Sequence, residues 1–261
     1  MGHPFRIGGV LAKTLAIWWR NKVFFTAIRA LTLLPFLLVV ALFFEGGDLL
    51  VSTANELRSS GFESLFIVTT VALLFATEVP LAIHTVAQLR GQSPSAGQSL
   101  RDSLPHILPS LGIAALFSGI YVLLAIAATL LFAISERLSV AAFVIGCTSI
   151  WLALCVTLPA RALEGDGVFA SFERSRALTA GHRGAILGIL LVLGLLMGAL
   201  YSLAVILLYY LAEALARFGI GPTPITSLIA LVAVLALALW TTGLAVLYRD
   251  LRLSREGNSA A

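Results

Sequence analysis

Residues 185–211 read AILGILLVLGLLMGALYSLAVILLYYL, a run of 27 positions without an acidic or basic side chain. As a helix this run rises about 40 Å, at 1.5 Å per residue, and the hydrocarbon core of a bilayer is about 30 Å thick. Lipid offers the backbone no hydrogen-bonding partner, and the strands of a membrane barrel would alternate in polarity. The run therefore predicts a transmembrane helix.

Five further stretches of the chain are similarly apolar. We predict six spans at approximately 23–44, 65–89, 105–133, 140–160, 185–211 and 225–248. Only 11% of the residues are charged, against about 25% in soluble domains. The sequence thus predicts an all-α polytopic protein with interfacial amphipathic helices. Residues 1–255 form a single membrane domain and 256–261 a short cytoplasmic tail.

The basic residues are distributed unevenly over the connections between these stretches. Connections on the side that holds both termini carry thirteen Lys and Arg, whereas the other side carries only Arg58, Arg137 and Arg217. Short loops rich in Lys and Arg remain in the cytoplasm during insertion. We expect a multi-pass protein of a bacterial cytoplasmic (inner) membrane with both termini in the cytoplasm. A basic face next to anionic lipid accounts for the net charge of +4 without a nucleic-acid partner.

An amphipathic segment over 5–20 precedes the first apolar stretch. Arg6, Lys13 and Arg20 recur every seven residues along one side of the expected helix. The opposite side carries Ile7, Leu11, Leu15 and Trp18. This pattern is typical of a helix that lies flat among lipid headgroups, and packing on the protein's own core is the alternative.

Two later segments, 91–104 and 165–178, align with each other at a shift of 74, and each leads into an apolar stretch. The same layout of amphipathic segment, span, outer loop and returning span recurs over approximately 1–90, 91–163 and 164–255. Recurrence at a similar length is the mark of an internal repeat. The sequence predicts three degenerate two-span units arranged around a shared centre.

Three ionisable side chains fall inside the predicted spans: Arg29, Glu78 and His84. Such groups cost about 2.5–3.5 kcal/mol on insertion scales, so they are the first place to look for function. One hypothesis makes Glu78 a proton- or solute-binding carboxylate, with Arg29 as its counter-charge and His84 as a relay toward the cytoplasm. In the alternative, Arg29 extends to the headgroups and Glu78 makes a structural hydrogen bond between helices.

Nothing in the chain has the pattern of an active site or of a cofactor site. The motif His-Glu-x-x-His is absent, and the four histidines are scattered without carboxylate partners at ligand spacing. Cys147 and Cys155 are separated by about 12 Å along a helix, too far for a disulfide. We predict a protein that is not an enzyme and that holds no cofactor and no metal.

Residues 164–184, EGDGVFASFERSRALTAGHRG, contain an acidic-Gly pair, an Arg-Ser amphipathic helix and a Thr-x-Gly-His entry into the next span. With the ending 248–257, YRDLRLSREG, the segment resembles the glycerophosphodiester phosphodiesterase membrane-domain group and the related YciC-like inner-membrane proteins. The resemblance in layout covers essentially the whole chain. It implies a six-span helical fold but no reaction, because hydrolysis in the bifunctional relatives belongs to a separate soluble barrel.

Two functions compete on this basis. The first is a non-catalytic scaffold or accessory protein that binds lipid headgroups, a membrane-protein partner or a second copy of itself through its basic cytoplasmic face. The residues assigned to that role are Arg174, Arg176, His182 and Arg183. A structural elbow held by local salt bridges is the alternative interpretation of the same segment. The second function is a transporter of a small solute or amphiphile that uses Arg29, Glu78 and His84, and a cavity reaching Glu78 would favour it.

Overall fold

The computed structural model describes residues 7–33, 62–218 and 223–257. Its helices are α1 (Ile7–Arg20), α2 (Lys22–Ala30), α3 (Phe62–Leu89), α4 (Ala96–Phe132), α5 (Glu136–Leu154), α6 (Thr157–Glu164), α7 (Val168–Thr179), α8 (Arg183–Ala216) and α9 (Thr223–Glu256). A short 3-10 helix, Leu31–Leu33, follows α2. Within the described ranges there is no strand, and the all-α prediction is confirmed.

Five segments in the described part of the chain are long and apolar enough to cross a membrane, as expected of a multi-pass protein. They are Val68–Leu89, Ala96–Phe132, Glu136–Glu164, Arg183–Leu215 and Leu231–Glu256. These five overlap the second to sixth predicted spans. The first predicted span, 23–44, is described only to residue 33, where α2 and the 3-10 helix occupy it. Residues 34–44 lie outside the described ranges.

The two aligned amphipathic segments take different forms. Residues 96–104 are the beginning of α4, whose helix continues through Pro105 and Pro109 into the span. The second segment is the separate helix α7, which ends before Gly181. Gly181 has φ +82°, a left-handed conformation that glycine adopts without steric cost. Only the second segment therefore turns sharply before its span.

Three other glycines have the left-handed conformation and lie at helix ends: Gly165 and Gly257 directly follow α6 and α9, and Gly91 comes two residues after α3. These are the last helices of the three predicted repeat units. A left-handed glycine terminates a helix because its N–H reaches back to an orphan carbonyl, as Gly165 does to Arg161 at 3.2 Å. The shared ends agree with the repeat, which stays a prediction.

Helix α1 packs on the rest of the protein, against α9 and α8. Its buried residues are Val10, Thr14 and Ile17. This face differs from the predicted apolar one, since Ile7 and Leu15 are exposed. Thr14 can be buried at the helix contact because its side chain is small and its hydroxyl donates to the carbonyl of Val10 at 2.8 Å.

Two polar contacts tie α1 to α9. Lys13 Nζ lies 2.8 Å from a carboxylate oxygen of Asp250, and the indole N–H of Trp18 donates to the carbonyl of Leu235 at 3.2 Å. The core of the bundle surrounds the second half of α9, where residues 244–248 are all buried. By contrast α4, α5 and α8 expose many large apolar side chains, as expected of surfaces that face lipid.

Candidate functional site

The Arg29 side chain is buried at the contact of α2 with α3 and α9, where it is 1% exposed. Its Nη1 donates to the carbonyl of Leu74 and to the hydroxyl of Thr77, each at 3.0 Å. Its Nη2 donates to Glu78 Oε1 at 2.7 Å and to the hydroxyl of Thr241. A guanidinium has five N–H groups, so four are used. The fifth, on Nε, has no partner among the described residues.

The Glu78 carboxylate is held by only one of its two oxygens. Oε1 accepts from Arg29 and lies 3.3 Å from the Thr241 hydroxyl. Within the described ranges no hydrogen bond reaches Oε2, and the side chain is 18% exposed. Arg29 and Thr241 therefore orient the carboxylate while leaving one oxygen open to a ligand.

A cavity of about 350 Å³ adjoins this carboxylate. Helices α3, α4, α5, α6 and α9 all contribute to its wall. The lining residues are Leu74, Phe75, Glu78, Phe117, Ser118, Tyr121, Trp151, Leu154, Cys155, Leu158, Leu237, Trp240 and Leu244. The indoles of Trp151 and Trp240 stack with their ring centres 5.2 Å apart. The cavity is thus apolar and aromatic, with one carboxylate in its wall.

The structure brings together Arg29 and Glu78 but not His84. The His84 ring belongs to a second polar cluster nearer the end of α3, where Nδ1 lies 2.8 Å from Ser99 Oγ and Nε2 lies 2.9 Å from Gln88 Nε2. Asn21, at the turn between α1 and α2, joins through Gln88 at 2.6 Å. No hydrogen bond in the described part of the chain links this cluster to Glu78. His84 is in consequence placed to join helices rather than to relay protons to the carboxylate.

The hydrogen bonds of His84 also indicate its tautomer. Nε2 lies 2.9 Å from the Gln88 amide nitrogen, which can only donate, and 3.3 Å from Asn21 Oδ1, which can only accept. The shorter contact favours the tautomer in which Nε2 accepts and Nδ1 carries the proton toward Ser99. The rings of Phe24 and Phe25 lie against the imidazole, with centres 4.5 Å and 5.7 Å away. This environment suits a neutral histidine.

A third polar cluster joins the end of α6 to α7 and α9. The Glu164 carboxylate accepts from Arg174 Nε at 2.9 Å and from the Tyr248 hydroxyl at 2.5 Å. Arg174 also pairs with Glu256, which accepts from Arg252 Nε at 2.9 Å. Hydrogen bonding to Glu164 raises the pKa of Arg174, so this guanidinium stays charged. Arg174 is therefore engaged in an internal salt-bridge network, the alternative that the sequence left open.

The other three residues assigned to headgroup or partner binding lie nearby on α7 and at the start of α8. Arg176 and Arg183 are exposed, and His182 is half-buried at the N-terminal cap of α8. Arg255, near the end of α9, donates to the carbonyl of Ala180 at the turn between α7 and α8. Of the four assigned residues, Arg176 and Arg183 are the ones with freely exposed side chains.

Sequence reasoning missed the residues that complete the Glu78 site. Thr77 and Thr241 share the Arg29 guanidinium, and Trp151 and Trp240 form much of the cavity wall. The signal in the sequence was the run Trp240-Thr241-Thr242 inside an otherwise apolar span. A hydroxyl in such a span can bond to its own helix, so the run alone does not identify a partner.

The described residues contain no group of three or more His, Cys, Asp or Glu side chains that could hold a metal ion. Comparison of the chain with protein-family models, curated proteins and solved structures gives no match. The three polar clusters and the cavity are consequently the features of this protein that point to a function.

Proposed function

We propose that this protein binds a small amphiphile inside the membrane, in the cavity beside Glu78, and carries it across or within the bilayer. The observation on which the proposal rests is a carboxylate with one open oxygen in the wall of an aromatic cavity. Ligand sites are typically concave and mostly apolar, with few polar groups that fix orientation. This cavity has that character, and a volume of about 350 Å³ accommodates a small organic molecule.

Burial of the ion pair gives a further reason to expect function here. A buried pair adds little stability compared with well-packed apolar residues, since desolvation of both charges offsets their attraction. Arg29 is nearly fully buried whereas Glu78 keeps 18% of its side-chain exposure. Because Glu78 is part of the cavity wall, the proposal assigns this exposure to the entry of the ligand's polar head.

The proposal includes the membrane arrangement that the sequence predicts. In it, residues 23–44 supply the first of six spans, both termini are cytoplasmic, and the membrane is the bacterial inner one. The five apolar helices and the uneven distribution of Lys and Arg support it. Glu78 then lies eleven residues before the end of its span, Val68–Leu89, well inside the hydrocarbon.

Filling the cavity tests the proposal. Wild-type protein in lipid nanodiscs is titrated with ten-carbon amphiphiles that carry a hydroxyl, a trimethylammonium or a sulfonate head. The change in tryptophan emission, to which Trp151 and Trp240 of the cavity wall contribute, reports binding. We expect at least one amphiphile to bind saturably to the wild type and to Ala127→Phe, an exposed position of α4 that does not line the cavity. Ser118→Phe, which fills the cavity from the same helix, should abolish this binding. Equal binding to both variants would remove the basis of the proposal.

A scaffold that binds lipid headgroups is the second candidate, and exposed basic residues favour it. Arg176 and Arg183 are exposed at the α7 to α8 turn, and the Lys22 ammonium lies 3.8 Å from the ring centre of exposed Trp19. Paired aromatic and basic side chains are typical of membrane interfaces.

The amount of anionic lipid that copurifies with the protein tests the scaffold. The double variant Arg176→Ala/Arg183→Ala should halve this amount. Arg217→Ala, an exposed residue at the other end of α8, is the matched control, and equal retention in all three proteins argues against a scaffold.

A further inference from the structure

We propose that the ligand of the Glu78 cavity is an organic cation, an ammonium group carried on an apolar body. This inference rests on the proposed binding function of the cavity and adds the charge of what it binds. Glu78 is the one acidic or basic side chain among the thirteen described residues that line the cavity. A ligand in the cavity therefore meets a carboxylate oxygen and no opposite charge in the wall.

Arg29 offsets part of the Glu78 charge, but a ligand in the cavity meets the carboxylate end of the ion pair. Its side chain is 1% exposed and does not line the cavity. The N–H groups of both terminal nitrogens donate hydrogen bonds to Leu74, Thr77, Glu78 and Thr241. An anion in the cavity would find the four terminal N–H groups of the guanidinium already bonded, and the unpaired Nε–H belongs to a side chain outside the cavity wall. It would instead lie against the Glu78 carboxylate, a like charge, which is unfavourable in an apolar environment.

The aromatic wall adds a second preference for a cation. Five of the thirteen lining side chains are aromatic: Phe75, Phe117, Tyr121, Trp151 and Trp240. Phe117 and Tyr121 stack with ring centres 6.3 Å apart, beside the stacked pair of indoles. The face of an aromatic ring carries negative potential and attracts ammonium groups, most strongly where water is excluded.

The remaining polar groups of the wall are neutral. They are the hydroxyls of Ser118 and Tyr121, the indole N–H groups of Trp151 and Trp240, and the thiol of Cys155. The thiol donates to the carbonyl of Leu152 at 3.6 Å. These groups satisfy a polar head but do not select its charge. Selectivity for a cation then comes from Glu78 Oε2 and the ring faces together.

A set of three small ligands of matched shape tests the inference on wild-type protein. Benzyltrimethylammonium is the cation, neopentylbenzene is its neutral carbon isostere, and phenylmethanesulfonate is an anion on the same benzyl body. Equilibrium dialysis against protein-containing nanodiscs, with empty nanodiscs as the partition control, measures saturable binding. We expect the cation to bind at least tenfold more tightly than the isostere and the anion to show no saturable binding.

Variants locate the source of the selectivity. Glu78→Gln should weaken benzyltrimethylammonium binding at least tenfold and leave neopentylbenzene within twofold, whereas Glu173→Gln, an exposed position on α7, should change neither. Trp240→Leu should weaken the cation more than the isostere. The comparison of ligands on the wild type holds even if a variant fails to fold.

The outcomes separate the inference from the function on which it rests. Equal binding of cation and isostere, or tighter binding of the sulfonate, overturns the inference while the cavity remains a ligand site. Absence of saturable binding by all three ligands, together with unaltered binding of amphiphiles to Ser118→Phe, overturns both.

Discussion

Arg29 Nη2 and Glu78 Oε1 lie 2.7 Å apart, although 49 positions separate the two residues in the chain. The contact joins α2 to α3, and Thr241 of α9 bonds to both partners. Three helices thus meet at one polar point inside an apolar bundle. Because an unpaired charge in such a bundle is costly, each residue depends on the other.

We expect Arg29→Met to lower the free energy of unfolding by about 3–5 kcal/mol, since it leaves the Glu78 carboxylate without its buried counter-charge. The double variant Arg29→Met/Glu78→Gln should recover part of the loss, because no uncompensated charge remains. Thermal unfolding of the four proteins of this cycle in one detergent measures the coupling. Strictly additive effects of the two substitutions would mean that the pair does not interact.

We expect His84→Leu to lower stability by about 1–3 kcal/mol, because Ser99 and Gln88 lose a buried hydrogen-bond partner. Ligand affinity at the Glu78 cavity should stay within twofold, since no hydrogen bond of the described residues connects the two clusters. Unfolding and dialysis on the same preparation give both values. A large loss of affinity in folded His84→Leu would restore the predicted relay.

Arg174→Ala should lower the free energy of unfolding by about 1–2 kcal/mol. A hydrogen bond to a charged group contributes about 1.5–3 kcal/mol, and the expected loss is smaller because the site is partly exposed to solvent. Arg174 joins Glu164 to Glu256, so its loss loosens α7 from α9. The neighbouring exposed Arg176→Ala should change stability by no more than about 0.5 kcal/mol. Equal effects at the two positions would contradict an internal role for Arg174.

Cysteine labelling in intact cells tests the orientation. In a background in which Cys147 and Cys155 are replaced by Ala, a membrane-impermeant thiol reagent added outside should label a cysteine at Arg137 but not one at Ser95 or Ala170. The positive-inside rule sets this expectation. The reverse pattern would place the basic connections outside and invert the proposed membrane arrangement.

The direction in which His84 points follows from its position on the helix relative to Glu78. It lies six residues after Glu78, which at 3.6 residues per turn places the two side chains about 120° apart around the helix. The transport hypothesis groups the two residues because both are ionisable side chains inside one predicted span, but the helix turns them to different neighbours. The contact between Arg29 and Glu78 that the same hypothesis requires is present, whereas Thr241, 163 positions from Glu78, cannot be assigned to the pair from spacing.

The sequence by itself determined that this chain is helical and suited to a membrane, because long apolar runs in lipid must satisfy their backbone hydrogen bonds within the helix. It also marked Arg29 and Glu78 as unusual, since charge in such a run is costly wherever the helices lie. Only the tertiary structure decided which face of α1 is buried, that Arg174 pairs internally and that a cavity opens beside Glu78. Those features depend on how helices that are distant in the chain pack together. Such packing produces no pattern in the sequence of any single helix.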